Sequence, residues 1–243
     1  SSPGISLKME GISYIQGSQV PAVLVNVMRG GPGLGNIGPE QGDYSQAVKG
    51  GGHGNYKNVV LAPATVQESY DFTPIAFDLA FKYRALVVIL TDACLGQMKE
   101  SILLHEIVPT NRYDVDDWAL DGNPGRKRRL ITSLRIEPEV LEQHNLDLNS
   151  TYQAIEAQEC RVESYRVDDA EVVCVAYGIS SRIAKGVVNT LRKDGIPVGL
   201  IRPQTLWPFP SEVIRAAADH VKAFLAVEMS LGQMLEDVRL AVE

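Results

Sequence analysis

A glycine-rich loop with one arginine contains the residues of this sequence best suited to binding an anion. It reads NVMRGGPGLG from Asn26 to Gly35, and more glycines follow at positions 38, 42 and 50–52. Glycine lets the backbone approach a ligand closely and adopt left-handed conformations. Arg29 can hold a carboxylate through two parallel hydrogen bonds, a geometry that lysine cannot copy. The same pattern is also consistent with a flexible surface loop that carries an incidental arginine.

Two further polar side chains, Asp43 and His53, lie in the same glycine-rich stretch. His53 stands between Gly52 and Gly54, so it does not belong to a packed helix face. Its imidazole can serve as an acid, a base or a hydrogen-bond donor to a substrate. A loop histidine without a role is the alternative. The stretch lacks the GxGxxG and Walker patterns, so a nucleotide phosphate loop is poorly supported.

The elements around this loop predict a parallel sheet. Apolar runs bounded by turn residues predict three buried strands: Val20 to Met28, Asn58 to Pro63 and Leu86 to Asp92. Helical spacing from Ala64 to Ala85, with Thr65 and Glu68 as a capping box, completes a strand–helix–strand unit. The Arg29 loop therefore follows the carboxyl end of a strand, where ligands bind in open parallel sheets.

The rest of the chain divides into a connector and a second alternating region. Residues 101–168 are richer in charge and predict a connector with one or two short helices, such as Pro138 to Gln143. The second region predicts strands Glu171–Tyr177, Val198–Arg202 and Ala223–Glu228, and helices Ser180–Lys193, Pro210–Ala218 and Leu231–Val242. The chain thus reads as α/β modules at 1–100 and 169–243 with the connector 101–168 between them, and Gly195 is predicted to stop a helix.

Composition excludes several classes of protein. The 243 residues are 45% hydrophobic and carry a formal net charge of −7, so we expect a globular protein that does not bind nucleic acid. The basic run Arg126 to Arg129 is interpreted as a solvated loop, with an anion or partner contact as the alternative. No apolar stretch approaches the roughly 20 residues that span a bilayer, and no signal peptide is visible. We therefore expect a soluble, cytoplasmic protein without a membrane contact.

The three cysteines argue against a metal or disulfide role for this chain. Cys94, Cys160 and Cys174 are far apart, and the sequence has neither CxxC nor HExxH. A disulfide framework, a zinc site and iron–sulfur ligation are all poorly supported, and we predict no metal ligand here. Cys174 lies in an apolar run and is predicted to be buried. Because the sequence opens with SSPG and no Met, we also expect that an upstream piece of the first domain is absent.

Along nearly its whole length the sequence resembles the alpha subunit of the 2-oxoacid:ferredoxin oxidoreductases, most closely the 3-methyl-2-oxobutanoate (2-ketoisovalerate) branch. The matching stretches include SSPGISLKMEGISY, VPAVLVNVMRGGPGLG, QGDYSQA, VVILTDACLGQMKE, GLIRPQTLWPFP and VEMSLGQMLEDVRL. The resemblance implies an α/β fold. The start of the chain would be part of a thiamine pyrimidine-binding domain, a parallel sheet with helices. A transketolase C-terminal-like α/β domain would follow it.

The resemblance also implies a reaction. In this family a 2-oxoacid is oxidatively decarboxylated to acyl-coenzyme A, and the electrons pass to ferredoxin. Thiamine diphosphate would be shared with a beta subunit, while magnesium and the iron–sulfur clusters would sit on partner subunits, namely beta, gamma and a ferredoxin-like delta subunit. A branched-chain substrate is favoured, and 2-oxoglutarate and pyruvate remain open.

Site residues follow from the matched motifs. Arg29 corresponds to the family arginine that faces the substrate carboxylate and the thiazolium ring. The implied cofactor-binding residues are Ser2, Pro3, Gly4, Gly30 and Gly31. Asp43 and His53 are substrate or loop candidates. The family's activating glutamate lies upstream of SSPG and is not in this sequence. Two alternatives stay open: a non-catalytic assembly subunit, and a transketolase-type or dehydrogenase subunit that passes electrons to lipoamide.

Overall fold

The computed structural model describes residues 1–105, 113–122 and 124–243. Its elements, in chain order, are α1 (Ser2–Ser6), α2 (Met9–Gly17), β1 (Ala22–Met28), α3 (Tyr44–Val48), β2 (Val59–Leu61), α4 (Val66–Tyr83), β3 (Leu86–Asp92), α5 (Ala93–Gln97), α6 (Pro138–Gln158), β4 (Val162–Tyr165), β5 (Val172–Val175), α7 (Gly178–Lys193), β6 (Val198–Pro203), β7 (Thr205–Trp207), α8 (Ser211–Ala218), β8 (Ala223–Ala226) and α9 (Gln233–Val242). The predicted α/β class is confirmed.

The first sheet has the strand order β1-β3-β2-β7. Strands β1 and β2 both run parallel to β3, which confirms the predicted strand–helix–strand unit β2-α4-β3. Every residue of β3 is buried. The prediction that β1 is buried is wrong along part of its length, because β1 is the outermost strand and Val25 is 56% exposed.

Helix α4 begins with the predicted N-cap. Thr65 Oγ1 accepts a hydrogen bond from the Glu68 backbone N–H at 3.0 Å. In an ordinary capping box the Glu68 carboxylate would accept from the backbone N–H of the N-cap residue, Thr65. Here it accepts from the backbone N–H of the preceding residue, Ala64, at 2.8 Å. This shift leaves Glu68 close to the second sheet.

The second sheet has the order β4-β6-β5-β8. Strands β5, β6 and β8 are parallel, as the alternation after Asp169 predicts, and β4 is antiparallel to β6. Gly195 follows α7 with a φ of +78°, which confirms it as the predicted helix stop. Cys174 is buried on β5, also as predicted.

The connector holds more regular structure than its sequence predicts. Helix α6 runs from Pro138 to Gln158, so the expectation of a short helix ending at Gln143 is wrong, and β4 lies in the connector as well. Only one narrow stripe of α6 is buried, and it consists of His144, Leu148, Tyr152 and Ile155. A helix with so few buried positions shows weak periodicity in sequence. Residues 106–112 and 123 of the connector lie outside the described residues.

The start of the chain is helical, although the Pro3-Gly4 pair is typical of a turn. Helix α1 begins at Ser2, with the proline in its first turn. Proline suits that position because its missing N–H would have no helical partner there. Ser2, Pro3 and Gly4 therefore lie on a short helix.

Strand β7 joins the two regions of the sequence. It follows β6 of the second sheet after one residue, yet it pairs antiparallel with β2 of the first sheet. The Trp207 ring on β7 meets Tyr152 of α6 edge-on at 5.9 Å between ring centroids. One cluster of buried apolar residues spans both sheets. The division at 1–100, 101–168 and 169–243 stays a prediction. Strand β7 belongs to the third of these regions but pairs with a strand of the first.

A buried ion pair reinforces this junction. Arg202 on β6 is 5% exposed and donates two hydrogen bonds to the Glu68 carboxylate, at 2.7 and 2.8 Å. Its Nε lies 3.0 Å from Glu163 Oε2 but outside hydrogen-bonding geometry. Burial raises the pKa of Glu68, but the hydrogen bonds from Arg202 and Ala64 outweigh burial and leave that pKa below its ordinary value.

Among the described helices, none has both the length and the apolar character needed to cross a bilayer.

We predict that Glu68→Gln destabilises the fold by about 3 kcal/mol, because it leaves the Arg202 guanidinium buried without its main counter-charge. A carboxylate with a lowered pKa stabilises the fold above its unfolded pKa of about 4.3 and loses that effect as pH falls through the folded-state value. The difference between wild type and variant, measured by urea unfolding, should therefore shrink below about pH 4. Glu212→Gln, which removes an exposed partner of Arg215, is the control and should cost at most about 0.5 kcal/mol.

Candidate functional site

A cleft of about 700 Å³ opens where the Arg29 loop meets α1 and the start of α9. Ser2 and Pro3 line it from α1, and Gly31 and Asp43 line it from the loop region. The second sheet's side contributes Ser230, Leu231 and Gln233. Four of the predicted site residues thus come together in one cleft between the two sheets.

The α1 helix is fastened to the loop through Ser2. The Arg29 backbone N–H donates to Ser2 Oγ at 3.2 Å, and Ser2 Oγ lies 3.3 Å from the Arg29 carbonyl oxygen. Gly4 follows on the same helix, and a Cβ added there would have no neighbouring atom within 4 Å. Gly30 precedes Gly31 in the chain and does not line the cleft.

The Arg29 side chain braces its own loop. Its Nη1 donates to the carbonyl oxygens of Leu34 and Asn36, at 2.5 and 2.8 Å, and its Nε donates to Ser1 Oγ at 3.2 Å. Arg29 does not line the cleft itself. Its predicted contact with a substrate carboxylate stays a prediction, and Nη2 has no hydrogen-bond partner among the described residues.

The glycines close the loop tightly. Gly30 N–H donates to the Gly38 carbonyl at 2.9 Å, and Asn36 N–H donates to the Gly30 carbonyl at 3.0 Å. Gly35 has a φ of +57°, and a Cβ there would lie 1.8 Å from the Gly30 oxygen. Only glycine fits this position. The arginine and the glycines therefore form one hydrogen-bonded unit, which does not match an incidental arginine on a flexible loop.

The cleft is acidic. Glu40 and Asp43 line it, and none of the described lysines or arginines does. Glu40 Oε2 accepts from the Gly31 backbone N–H at 2.6 Å, and Asp43 Oδ2 accepts from Asn26 Nδ2 at 2.9 Å. Such a surface favours ligand groups that are positively charged or carry N–H donors over phosphate or carboxylate. Neither Glu40 nor Asn26 is predicted as a site residue from its sequence context, although the polar Asn26 inside an apolar strand is a visible signal.

Gln41 lies between the cleft-lining residues Glu40 and Gly42 and connects this loop to α7 and to the segment after β8. It is fully buried, its Nε2 donates to the Tyr177 carbonyl at 3.1 Å, and its Oε1 accepts from Ser180 Oγ and Met229 N–H, each at 2.9 Å. Its own backbone N–H donates to the Met229 carbonyl at 2.8 Å. One side chain therefore forms hydrogen bonds with three groups, two at the start of α7 and one in the segment between β8 and α9.

Helix α9 is held against the same region. Tyr44 Oη donates to Asp237 Oδ2 at 2.6 Å, and Lys49 forms a short ion pair with the same carboxylate. Burial, with Asp237 adding to it, raises the pKa of Tyr44 well above its ordinary value, so the phenol keeps its proton and donates. Glu228 accepts from Met234 and Leu235 N–H and caps α9 instead of lining the cleft.

His53 does not join this cleft. Its side chain is exposed, its carbonyl accepts from Ser13 Oγ at 2.9 Å, and it lines a separate cleft beside His144 of α6. The structure therefore separates His53 from Arg29 and Asp43. Within residues 1–105, 113–122 and 124–243, no three His, Cys, Asp or Glu side chains cluster as a metal site would require.

Comparison with known families assigns both parts of the chain. The sequence model of the family described as "Pyruvate flavodoxin/ferredoxin oxidoreductase, thiamine diP-bdg" matches residues 1–165. The model of "Pyruvate:ferredoxin oxidoreductase core domain II" matches residues 170–243.

Two curated relatives are similar along almost all of the chain. The ketoisovalerate oxidoreductase subunit VorB of Methanothermobacter thermautotrophicus is 58% identical over 241 residues, which is 99% of this chain and 68% of that protein. The 2-oxoglutarate synthase subunit KorA of Archaeoglobus fulgidus is 34% identical over 242 residues, which is 98% of this chain and 69% of that protein.

A solved structure shares the fold. It is described as 2-oxoglutarate:ferredoxin oxidoreductase from Magnetococcus marinus with 2-oxoglutarate, coenzyme A and succinyl-CoA bound. The match has a TM-score of 0.81 and 23% identity, and it covers 99% of this chain. The chain spans about half, 47%, of that solved chain.

We predict that Gln41→Leu destabilises the chain by about 3 kcal/mol, because it strands the Ser180 hydroxyl and the Met229 N–H without a partner in a buried interface. The matched control is Gln143→Leu on the exposed face of α6, where we expect a change within about 0.5 kcal/mol. Urea unfolding of both variants measures the difference. Equal stabilities for the two variants would show that Gln41 does not hold the sheets together.

Proposed function

The chain belongs to the pyruvate flavodoxin/ferredoxin oxidoreductase family, and from this membership we propose that it is the alpha subunit of an enzyme that oxidatively decarboxylates a branched-chain 2-oxoacid. The products would be an acyl-coenzyme A and reduced ferredoxin. The 58% identity with a ketoisovalerate oxidoreductase subunit carries the proposal, since the 2-oxoglutarate relative reaches only 34%. A non-catalytic assembly subunit fits less well, because these relatives are named as subunits of oxidoreductases or synthases.

The residues of the cleft fit part of thiamine diphosphate. Glu40 and Asp43 suit its amino group and its positively charged ring, and the backbone at Gly31 allows close approach. No described lysine or arginine lines the cleft, so nothing there would balance the diphosphate. We therefore propose that the diphosphate and its magnesium ion are held mainly by a beta subunit.

If a beta subunit holds the diphosphate, the residues of this chain would orient the ring of the cofactor and the substrate. When bound, thiamine diphosphate supplies the nucleophilic carbon for decarboxylation, and the protein supplies orientation and charge. Arg29 would hold the loop closed through Leu34 and Asn36 and offer Nη2 to the substrate carboxylate.

Exposed apolar side chains around the cleft support an interface with a partner. Leu7 and Leu231 line the cleft, and Leu34 and Ile37 lie on the Arg29 loop; all four are more than 80% exposed. A cluster of this kind at the rim of a site suits a surface that another protein covers. We propose that the beta subunit covers it, and that the gamma and ferredoxin-like delta subunits carry the iron–sulfur clusters that pass electrons to ferredoxin.

We predict that the assembled enzyme prefers 3-methyl-2-oxobutanoate to 2-oxoglutarate and pyruvate by at least about tenfold in kcat/KM. The measurement is coenzyme A-dependent reduction of ferredoxin, or of a viologen, with each 2-oxoacid in turn. A preference for 2-oxoglutarate would contradict the branched-chain assignment while leaving the enzyme class intact. No reduction with any 2-oxoacid would contradict the enzymatic proposal itself.

We also predict that Arg29→Ala lowers turnover in the assembled enzyme by well over tenfold, since losing a charge-assisted contact of this kind costs about 2–5 kcal/mol. Arg29→Lys should fall between wild type and Arg29→Ala, because lysine keeps the charge but cannot serve two carbonyls and a carboxylate together. Arg215→Ala, at an exposed position on α8, is the matched control. A turnover for Arg29→Ala within a few-fold of wild type would refute the assigned role.

A further inference from the structure

We propose that the cleft beside α6 is a second binding site, anchored by His144, and that it takes an uncharged ligand in which a carboxamide is joined to an apolar group. The cleft has a volume of about 730 Å³ and lies between α2, the loop of residues 53–56 and α6. A cleft of this size suits a small molecule. The inference does not depend on the proposed function, because it concerns a different part of the fold.

This cleft lies at the opposite end of the first sheet from the Arg29 loop. That loop follows the carboxyl end of β1, whereas residues 53–56 precede the amino end of β2. Because β1 and β2 both run parallel to β3, these two ends are on opposite sides of the sheet. His53 lines this cleft and not the one at the Arg29 loop. A ligand bound here would therefore be distinct from the substrate and the cofactor.

His144 is the group that points to a ligand. It is 9% exposed and lines the cleft, and its Nε2 is buried without a hydrogen-bond partner. Burial, with Arg135 adding to it, lowers the pKa of His144, and a hydrogen bond with the Gly17 carbonyl opposes this only in part. The ring is therefore neutral. Since Nε2 has no partner, the proton toward Gly17 is on Nδ1, and Nε2 presents a lone pair that can accept an N–H or O–H.

The other polar groups of the cleft match an uncharged ligand. Among the described residues that line it, none is a lysine, arginine, aspartate or glutamate. Asn55 and Asn145 contribute carboxamides that have no hydrogen-bond partner within the described ranges. A carboxamide both donates and accepts, so it can pair with another amide. A carboxylate ligand would find no fixed positive charge among these lining residues and would direct its lone pairs at Nε2.

Apolar side chains complete the cleft, and its loop wall is fixed by hydrogen bonds. Leu141 and Leu148 of α6 line it together with Tyr56. Tyr56 Oη donates to the Gly50 carbonyl at 2.6 Å and accepts from the Gly52 N–H at 2.9 Å. These two bonds hold the loop in one conformation. A wall that is already ordered costs little conformational entropy on binding, so even a small ligand can bind measurably.

The test uses two probes that differ in one group. Benzamide carries an uncharged carboxamide on an apolar ring, and benzoate carries a carboxylate, which is charged and has no N–H. Binding of each to the full-length protein in its assembled complex is titrated by saturation-transfer NMR. We expect benzamide to bind, and benzoate to bind at least about tenfold more weakly, because it cannot donate to Nε2.

Variants locate the bound probe. His144→Leu should weaken benzamide binding by about tenfold, because it removes the Nε2 acceptor. His144→Gln should keep more of the affinity, since its amide oxygen can take the place of Nε2. Asn145→Leu should also weaken binding, and it decides the matter if His144→Leu does not fold. His105→Leu, at an exposed position outside the cleft, is the matched control and should leave binding unchanged.

The stability of His144→Leu separates a ligand anchor from a residue that only supports the fold. A buried nitrogen without a partner is unfavourable in the unliganded protein, so replacing it with an apolar side chain removes that cost. We therefore expect His144→Leu to be at least as stable as wild type in urea unfolding while it loses affinity for benzamide. A variant that is less stable and still binds benzamide as wild type does would assign His144 to the fold alone.

Three results would overturn the inference. Neither probe binds, which would mean that the cleft holds only solvent; both probes bind equally well; or His144→Leu and Asn145→Leu keep the wild-type affinity for benzamide, which would place the probe elsewhere in the complex. None of these results bears on the oxidoreductase function, which the reduction of ferredoxin or a viologen tests separately.

Discussion

The compensation of polar groups buried between the two sheets is the constraint on which the rest of this structure depends. Arg202 lies at the junction and is stabilised there by the Glu68 carboxylate of α4. Gln41 is fully buried, and its side chain forms hydrogen bonds with Tyr177, Ser180 and Met229. A buried charge or amide without such partners would cost several kcal/mol, so these contacts admit one relative placement of the sheets. Strand β7 adds backbone pairing to the same junction.

The cleft is a consequence of that placement. Its walls come from α1, from the loop after β1 and from the segment before α9, which are brought together only when the sheets dock. Ser45 N–H donates to Gln233 Oε1, and Gln233 Nε2 donates to the Gly42 carbonyl oxygen; these two hydrogen bonds set the spacing of the walls. The acidic pair Glu40 and Asp43 then lies in a cleft that is open on one side and rimmed by apolar side chains.

Electrostatics can explain an acidic cleft in a chain related to thiamine diphosphate enzymes. An anionic phosphate binds best to a positively charged surface, whereas a cationic or donor-rich ring binds best to a negatively charged one. The proposed division of these surfaces between subunits would let each subunit fold without placing opposite charges in one unfilled cavity. The exposed rim residues Leu34 and Ile37 fit the same division, because they would be covered only on assembly.

Several features could be predicted from the sequence, and they share one property. The strands β1, β2 and β3, helix α4 with its Thr65 cap, and the alternation after Asp169 are all encoded in neighbouring residues, where periodicity and capping act. The full length of helix α6 was not predicted, because its buried stripe is narrow. The pairing of strand β7 was not predicted, because nothing in its own three residues indicates which of the two sheets it joins.

For the site, the sequence determined the residue types and the ordered motifs, and these were enough to identify the family. The tertiary structure decided which of the residues meet. It brought Ser2, Gly31 and Asp43 into one cleft, turned Arg29 onto its own loop, and placed His53 elsewhere. It also placed Glu40 in the cleft lining and Asn26 within hydrogen-bonding distance of Asp43. Contacts such as Gln41 with Tyr177, 136 residues apart, depend on how the sheets dock, and no local pattern records that.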